Sequence, residues 1–303
     1  MKTNCPICNS DRYSIYYKEL PSYQYASIVR CSDCHHIYSL ITKEIDTSEL
    51  YNDEVYKVVE NRNSIFDKLL NWEYKKVVKR INHLHSQKGW LLDFGSGKGK
   101  FGWLAANRGW NVKCVETSKE RADYARNIYK LDVNTSFYSS GQIFDMKFDI
   151  LTLFHVLEHL PHPQKLLESL LKDNLKEDGM LVIEVPNIKS WQSSLSKEKW
   201  IHLDVPRHIN HFTVKKLTEM MKASGFTQVK TSFFSFHLGV LGMLDSILKL
   251  FGFKKNIIFE LKNKKKLKLL IQVALALPIA LFLESIASWT GKGGIMRIYL
   301  KHK

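Results

Sequence analysis

Apolar positions along the chain change period several times, and each change marks an element. Between Ser64 and His85 the residues Ile65, Leu69, Trp72, Val77 and Ile81 recur at mixed three- and four-residue steps, which predicts a helix laying one face on a larger body. From Trp90 onward, short apolar runs alternate with helical patterns. WLLDF, VKCVE, FDILTLF and MLVIEV read as buried strands, with helices near Lys100–Arg108, Lys119–Tyr129 and Pro163–Leu175. This alternation predicts an α/β fold, a doubly wound parallel sheet with helices on both faces. A helix from Val214 to Ser224, stopped by Gly225, leads into a strand TQVKTSFF, and the final strand is IMRIYLK. Two strongly apolar stretches, Phe233–Phe253 and Leu269–Trp289, lie between those last strands, separated by a basic run from Lys262 to Lys268.

Of 303 residues, 45% are hydrophobic and 25% charged, the profile of a folded protein with one main domain and additions. The pattern divides the chain into a cysteine-bearing module (1–45), a helical linker (46–89), a main α/β domain (90–235 and 292–303) and an apolar helical insertion (236–291). The opening MKTNCPIC carries no apolar leader pattern, and the cysteines fall into two close pairs and one single residue. A reduced, cytoplasmic protein is expected. Lys and Arg outnumber Asp and Glu by 45 to 30, a net +15, which favours an anionic partner: nucleic acid, anionic lipid or a phosphorylated substrate.

Cys5 and Cys8 form one C-x-x-C, Cys31 and Cys34 a second, with 22 residues between the pairs. This is the spacing of a zinc ribbon, in which four thiolates close the coordination shell of a structural Zn²⁺ and leave no position open for hydrolysis. Disulfides or a redox pair would need an oxidising compartment or a thioredoxin-like context.

LLDFGSGKGKFGWLA sets Gly95, Gly97 and Gly99 between a strand and a helix, where backbone must turn tightly and approach a ligand closely. Asp93, just before the first glycine, suits the amino end of a cationic cofactor and would repel a pyrophosphate. Glu116 ends the next strand, where a carboxylate can accept from both ribose hydroxyls. LLDFGSGKG, VETSKERADYAR and FDILTLFHVLEHLPHP together resemble the motifs of class I S-adenosylmethionine-dependent methyltransferases, over roughly Trp90 to Thr231. The resemblance implies a Rossmann-like seven-stranded sheet with an antiparallel last strand, and S-adenosylmethionine held by Asp93, Gly95, Gly97, Gly99 and Glu116. Where related enzymes carry an acidic residue for the adenine amine, this chain reads SFYSSGQIF, leaving Ser140 beside Ser139 as the candidate.

Two polar clusters complete the picture. HVLEH places His155, Glu158 and His159 at i, i+3 and i+4. It is similar to a turn of ubiquinone-type O-methyltransferases whose carboxylate-rich version holds a divalent metal, with His155 standing where those enzymes have Glu. WIHLDVPRHINHFT gathers His202, Asp204, Arg207, His208 and His211, and resembles the H-x-D-x-P-R-H loop of bacterial methyltransferases of surface-sugar and lipid-linked pathways. His155, His202, Asp204 and His208 are the catalytic candidates, with a neutral His155 able to take a proton from a hydroxyl. The plainer alternatives are a pocket frame for His155 and His159, and a structural loop in which Arg207 pairs with Asp204.

In the insertion, Gln272, Pro278 and Glu284 argue against a simple bilayer span, and the lysine run favours a helical hairpin on an anionic membrane surface. An extra cap on the core or a dimer interface is the alternative. The expected activity is methyl transfer to a hydroxyl or sugar carbon of a glycan or lipid-linked precursor, by a cytoplasmic enzyme peripheral to the inner face of the membrane. Rivals are a quinone-type O-methyltransferase and an RNA-binding or RNA-modifying protein. Nucleic acid is disfavoured because the densest lysines flank apolar helices.

Overall fold

The strand patterns from Trp90 onward assemble into a seven-stranded sheet, and the cysteine module supplies most of a second, four-stranded one. The computed structural model describes residues 4–21, 23–43, 65–255, 257, 260–261 and 267–302. The polar segment at 44–64 and the lysines at 262, 264, 265 and 266 lie outside the described residues. In chain order the elements are β1 (Tyr13–Tyr17), β2 (Ala26–Cys31), β3 (Ile37–Ile41), α1 (Ile65–Leu84), β4 (Trp90–Phe94), α2 (Lys100–Ala106), β5 (Asn111–Val115), α3 (Lys119–Tyr129) and β6 (Asp132–Asn134). There follow β7 (Phe148–Phe154), α4 (Pro163–Asn174), β8 (Leu175–Pro186), α5 (Trp191–Ser196), β9 (Asn210–His211), α6 (Val214–Ala223), β10 (Phe226–Ser232), α7 (Leu241–Leu250), α8 (Leu267–Trp289) and β11 (Ile295–His302).

The large sheet has the order β10-β11-β8-β7-β4-β5-β6. Strands β4 to β8 pair in parallel, while β11 runs antiparallel to both β8 and β10. This is the Rossmann-like arrangement expected from the motifs. Because successive side chains of a strand point to opposite faces, both faces of the central strands must be apolar, which is why they read as continuous hydrophobic runs. Leu91, Ile150, Val182 and Tyr299 pack against Val77 and Ile81 of α1 and Phe101 of α2. Their neighbours Leu92, Leu151, Leu181 and Ile298 face Leu167 and Leu171 of α4 and Leu217 and Met221 of α6.

The cysteine module is not a separate bead. Strand β3 pairs with β9, placing Ile37 opposite His211 and Tyr38 opposite Asn210, so the segment that follows the histidine-rich loop becomes the fourth strand of the small sheet. Leu20, Ile28 and Ile37 pack on Trp200, Leu203 and Val205. The insertion forms α7 and α8, which pack on each other around Val240, Leu244, Leu248, Leu269 and Ala280. Helix α8 runs through Pro278, and Glu284 is turned into the protein, accepting from Gln192 Nε2 at 3.0 Å and the Gly294 amide at 2.8 Å.

Candidate functional site

The glycine loop leaves β4 beside β5. Gly95 and Ser96 both donate to the Val115 carbonyl, at 2.8 and 3.0 Å, which folds the loop over the end of β5. Gly95 has φ +77°, and a Cβ there would come within 2.4 Å of Val156 Cγ2, so this turn accepts only glycine. The buried Glu116 carboxylate accepts from the Gly97 amide at one oxygen and the Ser118 amide at the other, both at 2.8 Å. Asp93 is buried in β4 and accepts from Thr152 Oγ1 at 2.8 Å. Burial raises its pKa to about 7, with the Glu116 charge adding to the shift and the Thr152 hydrogen bond opposing it. A cation brought against Asp93 would favour its ionised form. Beyond β5 and β6 a cavity of about 150 Å³ is lined by Val115, Asn134, Phe137, Tyr138, Ser140 and Ile143. The loop, both carboxylates and Ser140 thus lie along the strand ends, the set that could hold a nucleoside joined to an amino acid.

Next to this lies a chain of alternating charges. Glu73 of α1 accepts from His237 Nδ1 at 2.8 Å and Arg297 Nη2 at 3.1 Å. Arg297 also pairs with Glu184 of β8. Glu184 accepts from His155 Nε2 at 3.1 Å, and His155 Nδ1 donates to Glu158 at 3.0 Å. Burial alone would lower the His155 pKa, but hydrogen bonds and charges from Glu158 and Glu184 outweigh it and raise the group to about 10. Burial likewise would raise Glu158, and the bond to His155 instead brings it down to about 2. Held between two carboxylates, His155 is kept in its protonated form at neutral pH, which favours the pocket-frame alternative over a neutral base. Glu73, Glu184 and Arg297 carried no recognisable pattern in the sequence, because their partners are brought together only by the sheet.

The histidine-rich loop closes on the same turn. Asp204 takes both Arg207 Nε, at 3.0 Å, and Nη2, at 2.5 Å. His208 Nδ1 donates to the His202 carbonyl at 2.9 Å, and its Nε2 lies 3.8 Å from Asp204 Oδ2. His159 Nδ1 donates to the Arg207 carbonyl at 3.0 Å. Burial, reinforced by His208, lowers the His159 pKa to about 4, so this ring is neutral. His202 is also buried, with Nε2 3.2 Å from the Leu238 carbonyl, tying the loop to the insertion. Ligand atoms of Glu158, His159 and His208 all lie within 4.8 Å of one another, and Glu158 Oε2 is buried with no hydrogen-bond partner. Those three could hold a divalent cation or a polar substrate atom. The structure thus joins Glu158 and His159 to His208, with His155 behind them, linking Glu158 to Glu184 of the carboxylate chain.

The thiols of Cys5, Cys8, Cys31 and Cys34 lie within 4.8 Å of one another, with Cys5–Cys34 and Cys8–Cys31 both at 3.5 Å and no disulfide among them. Tetrahedral bonds of about 2.3 Å to zinc would set sulfurs ~3.8 Å apart, so the cluster fits that ion. His36, beside it, donates to Asn210 Oδ1 at 2.9 Å, and Asn210 Nδ2 donates to the Leu160 carbonyl at 2.7 Å. Ser39 Oγ donates to the His208 carbonyl at 2.9 Å. The module therefore braces both the turn bearing Glu158 and the loop bearing His208. C-x-x-C spacing signalled the cluster but not this brace.

Residues 66–231 match the family model described as a methyltransferase domain. An uncharacterized protein of Methanocaldococcus jannaschii is 28% identical over 160 residues, covering 52% of this chain and 74% of its own. A ubiquinone biosynthesis O-methyltransferase of Actinobacillus pleuropneumoniae is 27% identical over 148 residues, 45% of this chain and 62% of that protein, so the match spans less than two thirds of that relative. The solved structure of the plantazolicin methyltransferase BpumL in complex with SAH is similar in fold, with a TM-score of 0.50 at 15% identity over 84% of this chain and 93% of that one.

Proposed function

The chain belongs to the methyltransferase-domain family and is an S-adenosylmethionine-dependent methyltransferase, and we propose that its acceptor is a hydroxyl or sugar carbon of a glycan or lipid-linked precursor. When bound, S-adenosylmethionine supplies a methyl group on a sulfonium centre. In this reading Asp93 faces the cofactor's ammonium, the amides around Gly95, Gly97 and Gly99 admit its chain closely, Glu116 takes the ribose hydroxyls, and Ser140 borders the adenine. Replacing Glu116 with Ala is expected to weaken cofactor binding by about 2 kcal/mol, some ~30-fold, since a charged bidentate acceptor is lost. Calorimetry giving an unchanged affinity would remove the ribose assignment.

The observation that carries the acceptor reading is the imidazole pair of half-buried His159 and buried His208 beside the unpartnered oxygen of Glu158. A hydroxyl or carbon acceptor must lose a proton as it is methylated, so the site needs a base. His208 fills that role: its Nδ1–H is spent on the His202 carbonyl, which leaves Nε2 as the accepting nitrogen. Asp204 and Glu158 then stabilise the imidazolium. Protonated His155 is a positioning residue that fixes Glu158, and His202 anchors the loop. The test is incubation with methyl-labelled cofactor of lipid-linked glycans, free glycans, quinone precursors and RNA. Label in the glycan fractions is expected. Label confined to quinones would replace this reading with the quinone-type one, which the similarity to ubiquinone biosynthesis O-methyltransferases favours, and label confined to RNA would end both.

The thiol cluster supports a structural Zn²⁺ on Cys5, Cys8, Cys31 and Cys34. Elemental analysis is expected to find one zinc per chain, lost in a Cys5→Ser and Cys31→Ser double variant. Unchanged zinc in that variant, or none in protein purified without chelator, contradicts the assignment. The net charge of +15 and the apolar insertion support a cytoplasmic enzyme that works as a peripheral protein at the inner face of the membrane.

A further inference from the structure

Helix α8 is built inside out for a helix in water. Its buried stripe holds Ala276, Ala280 and Ala287 with Leu269 and Glu284, whereas its outward side presents Leu267, Ile271, Leu275, Ile279, Phe282 and Trp289. Leu275 is 71% exposed, Phe282 65% and Trp289 88%. A helix selected only to cap a soluble core would put the large side chains inward and the alanines outward, because burial of a Leu or Phe is worth far more than burial of an Ala. At about 1.5 Å per residue the exposed apolar stripe runs for roughly 30 Å. Leu250 and Phe251, at the end of α7, are also exposed, 62% and 83%. Contiguous apolar surface on this scale marks an interaction face.

We propose that α8 lies in the plane of an anionic bilayer, its Leu–Ile–Phe–Trp side buried among the acyl chains and headgroups. Two observations select a lipid surface. Between Lys268 and Trp289 the exposed side carries no charge, and the one acid of the helix, Glu284, is sequestered by Gln192 and Gly294. Exposed lysines stand at both ends, Lys268 at the start and Lys292 just past the finish, and the sequence adds Lys262, Lys264, Lys265 and Lys266 ahead of the helix. Lysines can keep their ammonium groups at the headgroup level while the stem follows the apolar layer.

By length and composition α8 could cross a membrane, but its packing argues for lying flat. Its buried stripe is held by α7, and β11 begins within the same folded body and pairs between β8 and β10. A crossing would strip Glu284 of both hydrogen bonds and set it in hydrocarbon, where an unpaired carboxyl is strongly disfavoured. This docking deepens the lipid-linked reading above, and it places the enzyme where such an acceptor resides.

The experiment uses the intact protein with phosphatidylcholine vesicles, with and without phosphatidylglycerol, some carrying brominated acyl chains. The protein is expected to sediment with the anionic vesicles, less as salt rises, and bromolipid is expected to quench a part of its tryptophan emission that Trp289→Phe abolishes. Ile271→Ser, Leu275→Ser and Phe282→Ser together alter only exposed positions and are expected to weaken vesicle binding by at least ~10-fold. Equal sedimentation of the triple variant and the parent overturns the proposal. So does a parent that ignores vesicles, and light scattering then tells whether a second copy of the chain covers α8, in which case the triple variant turns a dimer into a monomer. Vesicle binding is read without any acceptor, so docking and the lipid-linked reading fail separately.

Discussion

Replacing Arg297 with Leu is expected to destabilise the protein by about 3–5 kcal/mol, the cost of removing one partner from a buried ion pair. Arg297 is 5% exposed in the middle of β11, and its guanidinium pairs with Glu73 from α1 and Glu184 from β8. Without it, two carboxylates remain inside the protein, Glu73 with His237 and the Phe236 amide against it and Glu184 with His155. The transition temperature should fall by on the order of 10 °C. Thermal unfolding followed by circular dichroism checks this, and a fall of under ~3 °C would mean that the network contributes little. Adding Glu184→Gln to Arg297→Leu should recover part of the loss, because one uncompensated charge is then gone.

The same network sets a pH window. Burial would raise the Glu73 pKa, but pairing with His237 and Arg297 brings it down from 4.5 to about 2, so its contribution is full above the ordinary value and lost as pH falls through about 2. His155 is shifted up from 6.5 to about 10, so its contribution is full below the ordinary value and lost as pH rises through about 10. Both act together at mildly acid to neutral pH.

His208→Ala is expected to lower the rate of methyl transfer by about 10²–10⁴, the range for loss of a general base, while leaving cofactor affinity unchanged. His208 is buried, it sits with Glu158 and His159, and its orientation is set by the His202 carbonyl. His208→Gln separates base from brace, since the amide fills the space and donates hydrogen bonds but accepts no proton at neutral pH. Both variants should lose activity alike against the acceptor found by labelling. A rate within ~10-fold of the parent in His208→Gln would assign the residue to positioning alone.

Local pattern carried much of this molecule. The strand–helix alternation from Trp90, the glycine turn and the two C-x-x-C pairs were legible because each depends on residues close in sequence, where side-chain period and backbone sterics act directly. Adjacent polar clusters were visible too, but not their protonation. His155 reads as a neutral base until Glu184, 29 residues on, is placed against its other nitrogen.

What the sequence determined by itself, then, was the doubly wound core, the glycine turn that follows its first strand and the two cysteine pairs whose thiols gather in one cluster. Only the tertiary structure decided that Glu73 meets Arg297 across 224 positions, that His36 reaches Asn210 across 174, and which face of α8 is left bare. The reason is physical: α8 is apolar all round, so no periodicity reveals its exposed side, and a buried charge is defined by partners that only sheet order brings within a few ångströms.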